Sequence, residues 1–172
     1  MTDVQTSRKI TERSDELEVR LPDTRGVRFS RWGQGNLKLG PDVLTYSRLP
    51  GQKAVHGGTC PGATAFCQSI CYAFRIKESD GVWEVYRRNS ATDALPPLPP
   101  GTKYVRIHVS GDFDTWDYIF NWIKLVKKNP QTSFFGYTRS WRVPALVEIL
   151  EELRDQPNVQ LFASMDDLDT PG

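Results

Sequence analysis

The sequence predicts an α/β fold built from parallel βα units. Short runs rich in β-branched and aromatic residues alternate with longer segments whose apolar residues recur at helical spacing. The segments between these runs are long enough for the helical crossover that a parallel strand pair requires. Units of this kind fit either an open sheet or part of a (β/α) barrel, and the pattern does not decide between the two.

The predicted elements follow one another in a regular order from residue 43 onward. The predicted strands are Val43–Ser47, Tyr104–Val109, Ser133–Tyr137 and Val159–Ala163, and the predicted helices are Thr64–Lys77, Val82–Asn89, Thr115–Lys128 and Val143–Arg154. Asp114 is the expected N-cap of the third helix. Pro144 falls in the first turn of the fourth, where its missing N–H costs nothing.

The chain of 172 residues is expected to form one α/β domain at 31–172, preceded by a polar arm at 1–30. A net charge of +1 gives no overall basic field that would indicate nucleic acid or a membrane surface as partner. The sequence contains neither an apolar run long enough to span a membrane nor the apolar core of a secretory signal. We therefore expect a cytoplasmic location, where thiols stay reduced.

The cysteines are the most informative feature of the sequence. All three lie within twelve positions, at Cys60, Cys67 and Cys71, with glycines on both sides of Cys60. Cys67 and Cys71 are four residues apart and are expected on one face of a helix. An odd number of cysteines in a reducing compartment argues against disulfides and favours a metal site or catalysis.

Three interpretations of this cluster remain open. Three thiolates suit a 4Fe–4S cluster with one iron left without a cysteine ligand, or a 3Fe–4S cluster. A zinc site would need His56 or His108 as its fourth ligand, and the six-residue gap after Cys60 is long for zinc. The third interpretation is three small buried thiols without a metal.

Polar residues also follow three of the predicted strands. In parallel α/β folds ligands bind at the carboxyl edge of the sheet, where Asp112 would accept from an ammonium group and Arg139 would clamp a carboxylate or phosphate. The alternative is that Asp112 caps the next helix and Asp166 forms a turn. His108, inside the second strand, is typical of a hydrogen-bonded core histidine. The candidate binding residues at these ends are Ser110, Gly111, Asp112, Arg139, Ser140 and Asp166.

These motifs resemble the phage gene product 88 family. The resemblance covers about residues 30–167 and implies a bacteriophage protein in the cytoplasm of the bacterial host. It implies little about activity. It rests on 35–40, Thr59–Ala63, Cys67, Cys71–Ala73, Asn89, Arg106–Phe113, Tyr137–Ser140 and Ser164–Asp166.

A more distant similarity is to the radical S-adenosylmethionine enzymes. Those proteins carry three cysteines in a loop after the first strand of a partial (β/α) barrel, and their next strand ends in a motif of glycine and an acid. That similarity implies S-adenosylmethionine as a ligand, with Ser110 and Asp112 at its ammonium group and Arg139 at its carboxylate. The gaps of six and three residues between the cysteines depart from that family's common pattern.

The expected function is therefore that of a phage-encoded iron–sulfur protein, an accessory factor that acts on a host protein or on nucleic acid and not on a membrane. The alternatives are a radical S-adenosylmethionine enzyme and a zinc-stabilised interaction domain. No residue is assigned a catalytic role.

Overall fold

The computed structural model describes residues 32–34, 38–78 and 80–166. The polar arm expected at 1–30, part of the 35–40 motif and the last six residues lie outside this description. The strands are β1 Gly33–Gln34, β2 Val43–Tyr46, β3 Tyr104–Ile107, β4 Ser133–Thr138 and β5 Val159–Ala163. The helices are α1 Lys53–His56, α2 Ala65–Ser69, α3 Asp80–Ser90, α4 Trp116–Lys128 and α5 Pro144–Arg154, with 3₁₀ turns at Tyr72–Glu78 and Ser140–Arg142.

The five strands form one sheet in the order β1-β2-β3-β4-β5. Strands β2, β3, β4 and β5 pair in parallel with one another, whereas β1 pairs with β2 in the antiparallel direction. The α/β prediction is confirmed, and of the two architectures the described strands form the open sheet. Because β2 to β5 run in the same direction, their carboxyl ends lie together at one edge of the sheet.

One face of this sheet is covered by α4 and α5. Val105 and Phe134 are neighbours across β3 and β4 on this face, and both are buried. From the helices, Trp122 and Leu153 are fully buried in the same apolar core. Because side chains alternate along a strand, the residues between these positions face the other side, on which Tyr104, Tyr137 and Phe162 are about half exposed and Thr45 is buried.

Most predicted elements are found within a residue or two of their expected bounds. The strand that ends at Ala163 has the predicted limits, and Pro144 does occupy the first turn of α5. No helix in the described part of the chain is long and apolar enough to span a membrane.

The helix predicted over Thr64–Lys77 is wrong in its length. Helix α2 ends at Ser69, and the amide of Cys71 donates to the carbonyl of Gln68 at 3.4 Å. This shift to a bond between residues three apart starts the tighter 3₁₀ winding of the segment that follows. Cys67 therefore lies inside α2 and Cys71 after it, and the two do not share one face of a continuous α-helix.

The strand predicted to reach Val109 ends two residues earlier, at Ile107. The reason is His108, whose φ of 60° is the one positive value among the described non-glycine residues. An extended strand needs a negative φ, so pairing ends there. His108 is thus a residue at the end of β3 and not inside it.

The predicted N-cap of α4 is also wrong. Thr115 caps the helix, because its hydroxyl oxygen accepts from the amide of Tyr118 at 3.1 Å. Asp114 instead forms an ion pair with Arg48, which is only 1% exposed. The Asp114 carboxylate neutralises the buried charge of Arg48, and the neighbouring Thr115 caps the helix.

Candidate functional site

The cysteine loop is held against the segment that follows β2. The amide of Thr59 donates to the carbonyl of Leu49 at 3.0 Å, and that of Cys60 donates to Gly51 at 2.9 Å. A Cβ atom at Gly58 would lie 2.1 Å from the carbonyl oxygen of Pro50, so only glycine allows this approach. The backbone around Cys60 is therefore closely fixed.

The loop also contacts the end of β4. A Cβ atom at Gly62 would lie 2.0 Å from the carbonyl oxygen of Arg139. On the other side, the Gln52 side chain donates to the carbonyl of Ala63 at 2.9 Å. The glycine-rich loop predicted from the sequence thus packs directly on the carboxyl edge of the sheet.

Helix α2 is attached to this edge by a chain of polar contacts. Thr64 is its N-cap, and its hydroxyl oxygen accepts from the amide of Cys67 at 3.0 Å. The same hydroxyl donates to the Asp166 carboxylate at 2.6 Å. Asp166 also forms an ion pair with Arg139 at 3.1 Å, in which both side chains are nearly buried. These contacts bring the ends of β4 and β5 to Cys67.

All three cysteines are half-buried and have free thiols. They lie close enough to one another to interact electrostatically, which includes Cys60 with both Cys67 and Cys71. Burial raises the pKa of the Cys60 thiol, and the nearby charge of Asp112 raises it further. Burial also raises the pKa of Cys67, while Arg139 opposes this by its charge and a hydrogen bond to the thiol.

The described side chains do not form a site for a single metal ion. No group of three or more histidine, cysteine, aspartate or glutamate side chains within 32–34, 38–78 and 80–166 is placed to hold one. Of the two histidines considered as zinc ligands, His56 packs on Phe74 with ring centroids 4.7 Å apart. His108 is buried, and its Nε2 hydrogen-bonds the hydroxyl of Tyr118 at 2.8 Å.

Asp112 lies after the carboxyl end of β3, as predicted, but its carboxylate is hydrogen-bonded to other residues of the protein. It accepts from the amide of Phe113 at 2.8 Å, the hydroxyl of Thr138 at 2.6 Å and the amide of Arg139 at 2.7 Å. Burial raises its pKa to about 6, and these donors oppose the shift. Asp112 thus joins the end of β3 to that of β4, and it does not cap α4.

Ser110, Gly111 and Ser140 are close neighbours of this junction. The hydroxyl of Ser110 is buried and has no hydrogen-bond partner among the described residues. Gly111 has a φ of 79°, and a Cβ atom there would lie 2.7 Å from the Thr59 hydroxyl. The hydroxyl of Ser140 donates to the carbonyl of Phe113 at 2.6 Å, so its hydrogen is already engaged in a hydrogen bond within the protein.

Sequence reasoning missed Arg48, Thr59, Thr64 and Thr138. Arg48 lies two residues after β2, so the rule that polar residues gather at strand ends applied to it as well. Thr64 had a clear signal too, because a threonine before a helical run is a preferred N-cap. Nothing local in the sequence indicates that Thr59 and Thr138 meet the junction around Asp112.

Two clefts in the described part of the chain lie away from this junction. Both are shallow, with volumes of about 240 and 280 Å³, and they share the segment Pro99–Thr102 at the opposite edge of the sheet. They contain none of the predicted site residues. The junction around Asp112 is built from buried, hydrogen-bonded side chains.

Comparison with known sequences places the chain in a family. The sequence model described as "Gene product 88" matches residues 85–171, which is just over half of the chain. The chain belongs to the Gene product 88 family. The matched region contains all the predicted strand-end residues from Ser110 to Asp166, and the three cysteines precede it.

Two curated relatives are mycobacteriophage proteins. The chain is 31% identical to the Gene 88 protein of Mycobacterium phage L5 over 104 aligned residues, which cover 48% of this chain and 44% of the relative. It is 29% identical to the Gene 88 protein of Mycobacterium phage D29, with 48% of this chain and 43% of that protein covered. The chain therefore spans less than half the length of these relatives.

No solved structure matches the chain significantly. The phage family resemblance is thus confirmed for residues 85–171, while the similarity to radical S-adenosylmethionine enzymes receives no support from these comparisons. The relatives' names state no activity and no cofactor.

Proposed function

We propose that the chain binds an iron–sulfur cluster through Cys60, Cys67 and Cys71. The observation that carries this proposal is the gathering of every cysteine of the chain at one edge of the sheet. The loop that brings them there is seated by glycine contacts too close for any other residue. Thiolates are the usual protein ligands of such clusters.

We favour a cluster over a single ion. Ligands of one zinc ion converge on a single centre, and the described side chains form no such group. The ligands of a cluster bind different irons, so their sulfur atoms lie further apart than those around one zinc ion. Thiols on a loop and on a short helix can be placed at such separations. A zinc-stabilised domain is therefore the weaker interpretation.

When bound, the cluster supplies electron transfer and one iron without a cysteine ligand, to which an external group can bind. The chain's own residues orient the thiols. Thr64, Asp166 and Arg139 hold Cys67 in position, and Arg139 places positive charge beside its sulfur. The unpaired hydroxyl of Ser110 lies on the same edge and is a candidate donor to an external group.

We infer a binding or electron-transfer role in the phage-infected cell, as an accessory factor for a host protein or nucleic acid. The alternative of a radical S-adenosylmethionine enzyme is less well supported. It requires Asp112 and Arg139 to hold the cofactor, but Asp112 already accepts three hydrogen bonds and Arg139 contacts Asp166 and Cys67.

The decisive experiment is elemental analysis of anaerobically purified protein. We expect iron and sulfide, with a broad absorption near about 400 nm from thiolate–iron charge transfer. Cys60→Ser, Cys67→Ser and Cys71→Ser should each lower the iron content, while Ser69→Ala in the same helix as Cys67 should not. Colourless protein with one equivalent of zinc would overturn the proposal.

The enzyme alternative has its own test. Electron paramagnetic resonance spectra of the reduced protein, recorded with and without S-adenosylmethionine, report on binding at the open iron. A changed spectrum would favour the enzyme, and an unchanged one would leave the binding protein as the sole iron-containing interpretation.

A further inference from the structure

Arg106 lies in β3 on the face of the sheet that points away from α4 and α5, paired with Phe135 on β4. It is half-buried, and its Nε is fully enclosed without a hydrogen-bond partner. No carboxylate in the described part of the chain forms an ion pair with it. The phenol of Tyr72 lies near enough to interact with its charge, but a neutral phenol does not neutralise a guanidinium.

An arginine in this position is costly unless an anion accompanies it. Buried polar groups in native proteins are nearly always hydrogen-bonded, and partly buried charges are usually paired. Arg106 departs from this rule in the centre of a sheet, where the backbone on both sides is fixed by parallel pairing. Because the Nε is fully enclosed, a bound negative group that neutralises this charge would contact the terminal nitrogens of Arg106.

The same face carries exposed aromatic rings on either side of Arg106. Tyr137 and Phe162 are paired across β4 and β5, and their rings stack with centroids 5.5 Å apart at an angle of 29°. They are 55% and 49% exposed, and Tyr104 at the other end of β3 is 47% exposed. From strand spacing, Tyr137 lies about 8 Å from Arg106, one strand across and two residues along.

We propose that the exposed aromatic part of this face binds single-stranded nucleic acid, with a phosphate at the terminal nitrogens of Arg106 and bases stacked on Tyr137 and Phe162. Aromatic rings on a sheet together with a cation are the general means by which proteins hold unpaired bases and their backbone. The two described clefts lie at the far edge of the sheet and contain none of these residues. Rings spread over neighbouring strands suit an extended nucleic-acid strand, whereas small ligands bind in concave sites.

This inference does not depend on the iron–sulfur cluster, since none of these residues is a cysteine. The net charge of +1 means that no long-range field assists binding, so contacts on the face must carry most of the affinity. Removal of a single contact should therefore have a large effect.

The test measures fluorescence anisotropy of labelled oligo-dT and oligo-U of about ten nucleotides at several salt concentrations. Tyr137→Leu and Phe162→Leu, which keep apolar volume but remove the ring, should each weaken binding by about tenfold. Arg106→Gln should weaken binding and reduce the slope of log affinity against log salt by about one.

Conservative and distant variants separate binding from folding. Tyr137→Phe and Arg106→Lys keep the ring and the charge, and they should retain most of the affinity. Trp116→Leu and Arg154→Gln remove an exposed ring and an exposed charge from α4 and α5 on the other side of the sheet, and they should leave binding unchanged. Circular dichroism confirms that each variant is folded.

Three results would overturn the proposal. The first is absence of oligonucleotide binding by the folded wild-type protein. The second is an unchanged affinity and salt slope in Arg106→Gln. The third is competition by AMP at the concentration at which the oligonucleotide competes, which would assign the face to a small nucleotide.

Discussion

The guanidinium of Arg139 pairs with the carboxylate of Asp166 at 3.1 Å, and this pair connects the ends of β4 and β5 to the cysteine helix. Asp166 also accepts from Thr64, which caps the helix that contains Cys67. Arg139 in turn contacts the Cys67 thiol. A positive and a negative side chain are thus held at defined positions beside one of the proposed cluster ligands.

This arrangement predicts opposite effects on the reduction potential of the bound cluster. Arg139→Gln removes a positive charge and a hydrogen bond at Cys67, which disfavours the reduced, more negative cluster and lowers the potential. Asp166→Asn removes a negative charge and should raise it. We expect shifts on the order of tens of millivolts, measured by mediated redox titration.

Arg142→Gln, in the 3₁₀ turn after Arg139, is the matched control and should move the potential far less. If Arg139 and Asp166 only stabilised the loop, both variants would shift the potential in the same direction and lose iron. That result would contradict an electrostatic role.

The contact between Gly62 and the backbone of Arg139 gives a prediction about stability. Gly62→Ala places a methyl group 2.0 Å from a carbonyl oxygen, so the loop must move away from the end of β4. We expect a loss of about 3 kcal/mol in the free energy of unfolding together with reduced iron content. Urea denaturation and elemental analysis measure the two effects.

Gly81 provides the control for this substitution. A Cβ atom there has nothing within 4 Å, and the residue lies in α3. Gly81→Ala should be neutral or stabilise the protein by up to about 1 kcal/mol through helix propensity. Equal effects at both positions would show that Gly62 is not constrained by this contact.

The regular part of the fold was predictable because its signal is local. The strand Val159–Ala163 has the residue types typical of strands, and the helix Trp116–Lys128 has apolar residues at helical spacing. In both elements the local preference and the tertiary packing favour the same secondary structure. The break of α2 after Ser69 was not predictable, because α and 3₁₀ windings place apolar residues at nearly the same spacing over so short a segment.

The candidate site was predictable in its parts but not in its connections. The strand-end rule identified Asp112 and Arg139, since it depends only on where strands finish. It did not show that the Asp112 carboxylate would bond Thr138, which is 26 residues away. Nor does any local pattern indicate that Arg48 is fully buried, since arginine is among the residues least often found inside proteins.

Arg48 leads to a third prediction. It is paired with Asp114 and lies 3.7 Å from Asp93, and its guanidinium stacks over the ring of Tyr118 at 4.1 Å. Arg48→Gln leaves the carboxylates uncompensated in a partly buried place. The free energy of unfolding should fall by about 3 kcal/mol or more, as measured by urea denaturation.

The exposed ion pair of Lys127 with Glu152 is the matched comparison. Lys127→Gln should change the free energy of unfolding by no more than about 0.5 kcal/mol, since exposed pairs contribute little. A similarly small effect at Arg48 would mean that Tyr118 packing alone stabilises this region.

The buried carboxyl of Asp112 predicts how stability depends on pH. Burial raises its pKa from 3.8 to about 6, so the folded protein binds this proton more tightly than the unfolded chain does. Its contribution is therefore fully present below pH 3.8 and is lost as pH rises through about 6. The buried His108 acts in the opposite sense, because burial lowers its pKa to about 3 and stability falls as pH drops below 6.5.

The two contributions are separated by comparing the wild-type protein with Asp112→Asn, which keeps the side-chain shape and His108 but cannot titrate. The wild-type free energy of unfolding minus that of the variant should fall by up to about 3 kcal/mol between pH 4 and pH 7. Urea denaturation across this range measures the difference. A difference that stays constant or rises with pH would show that the hydrogen bonds from Thr138 and Arg139 outweigh burial in setting the pKa of Asp112.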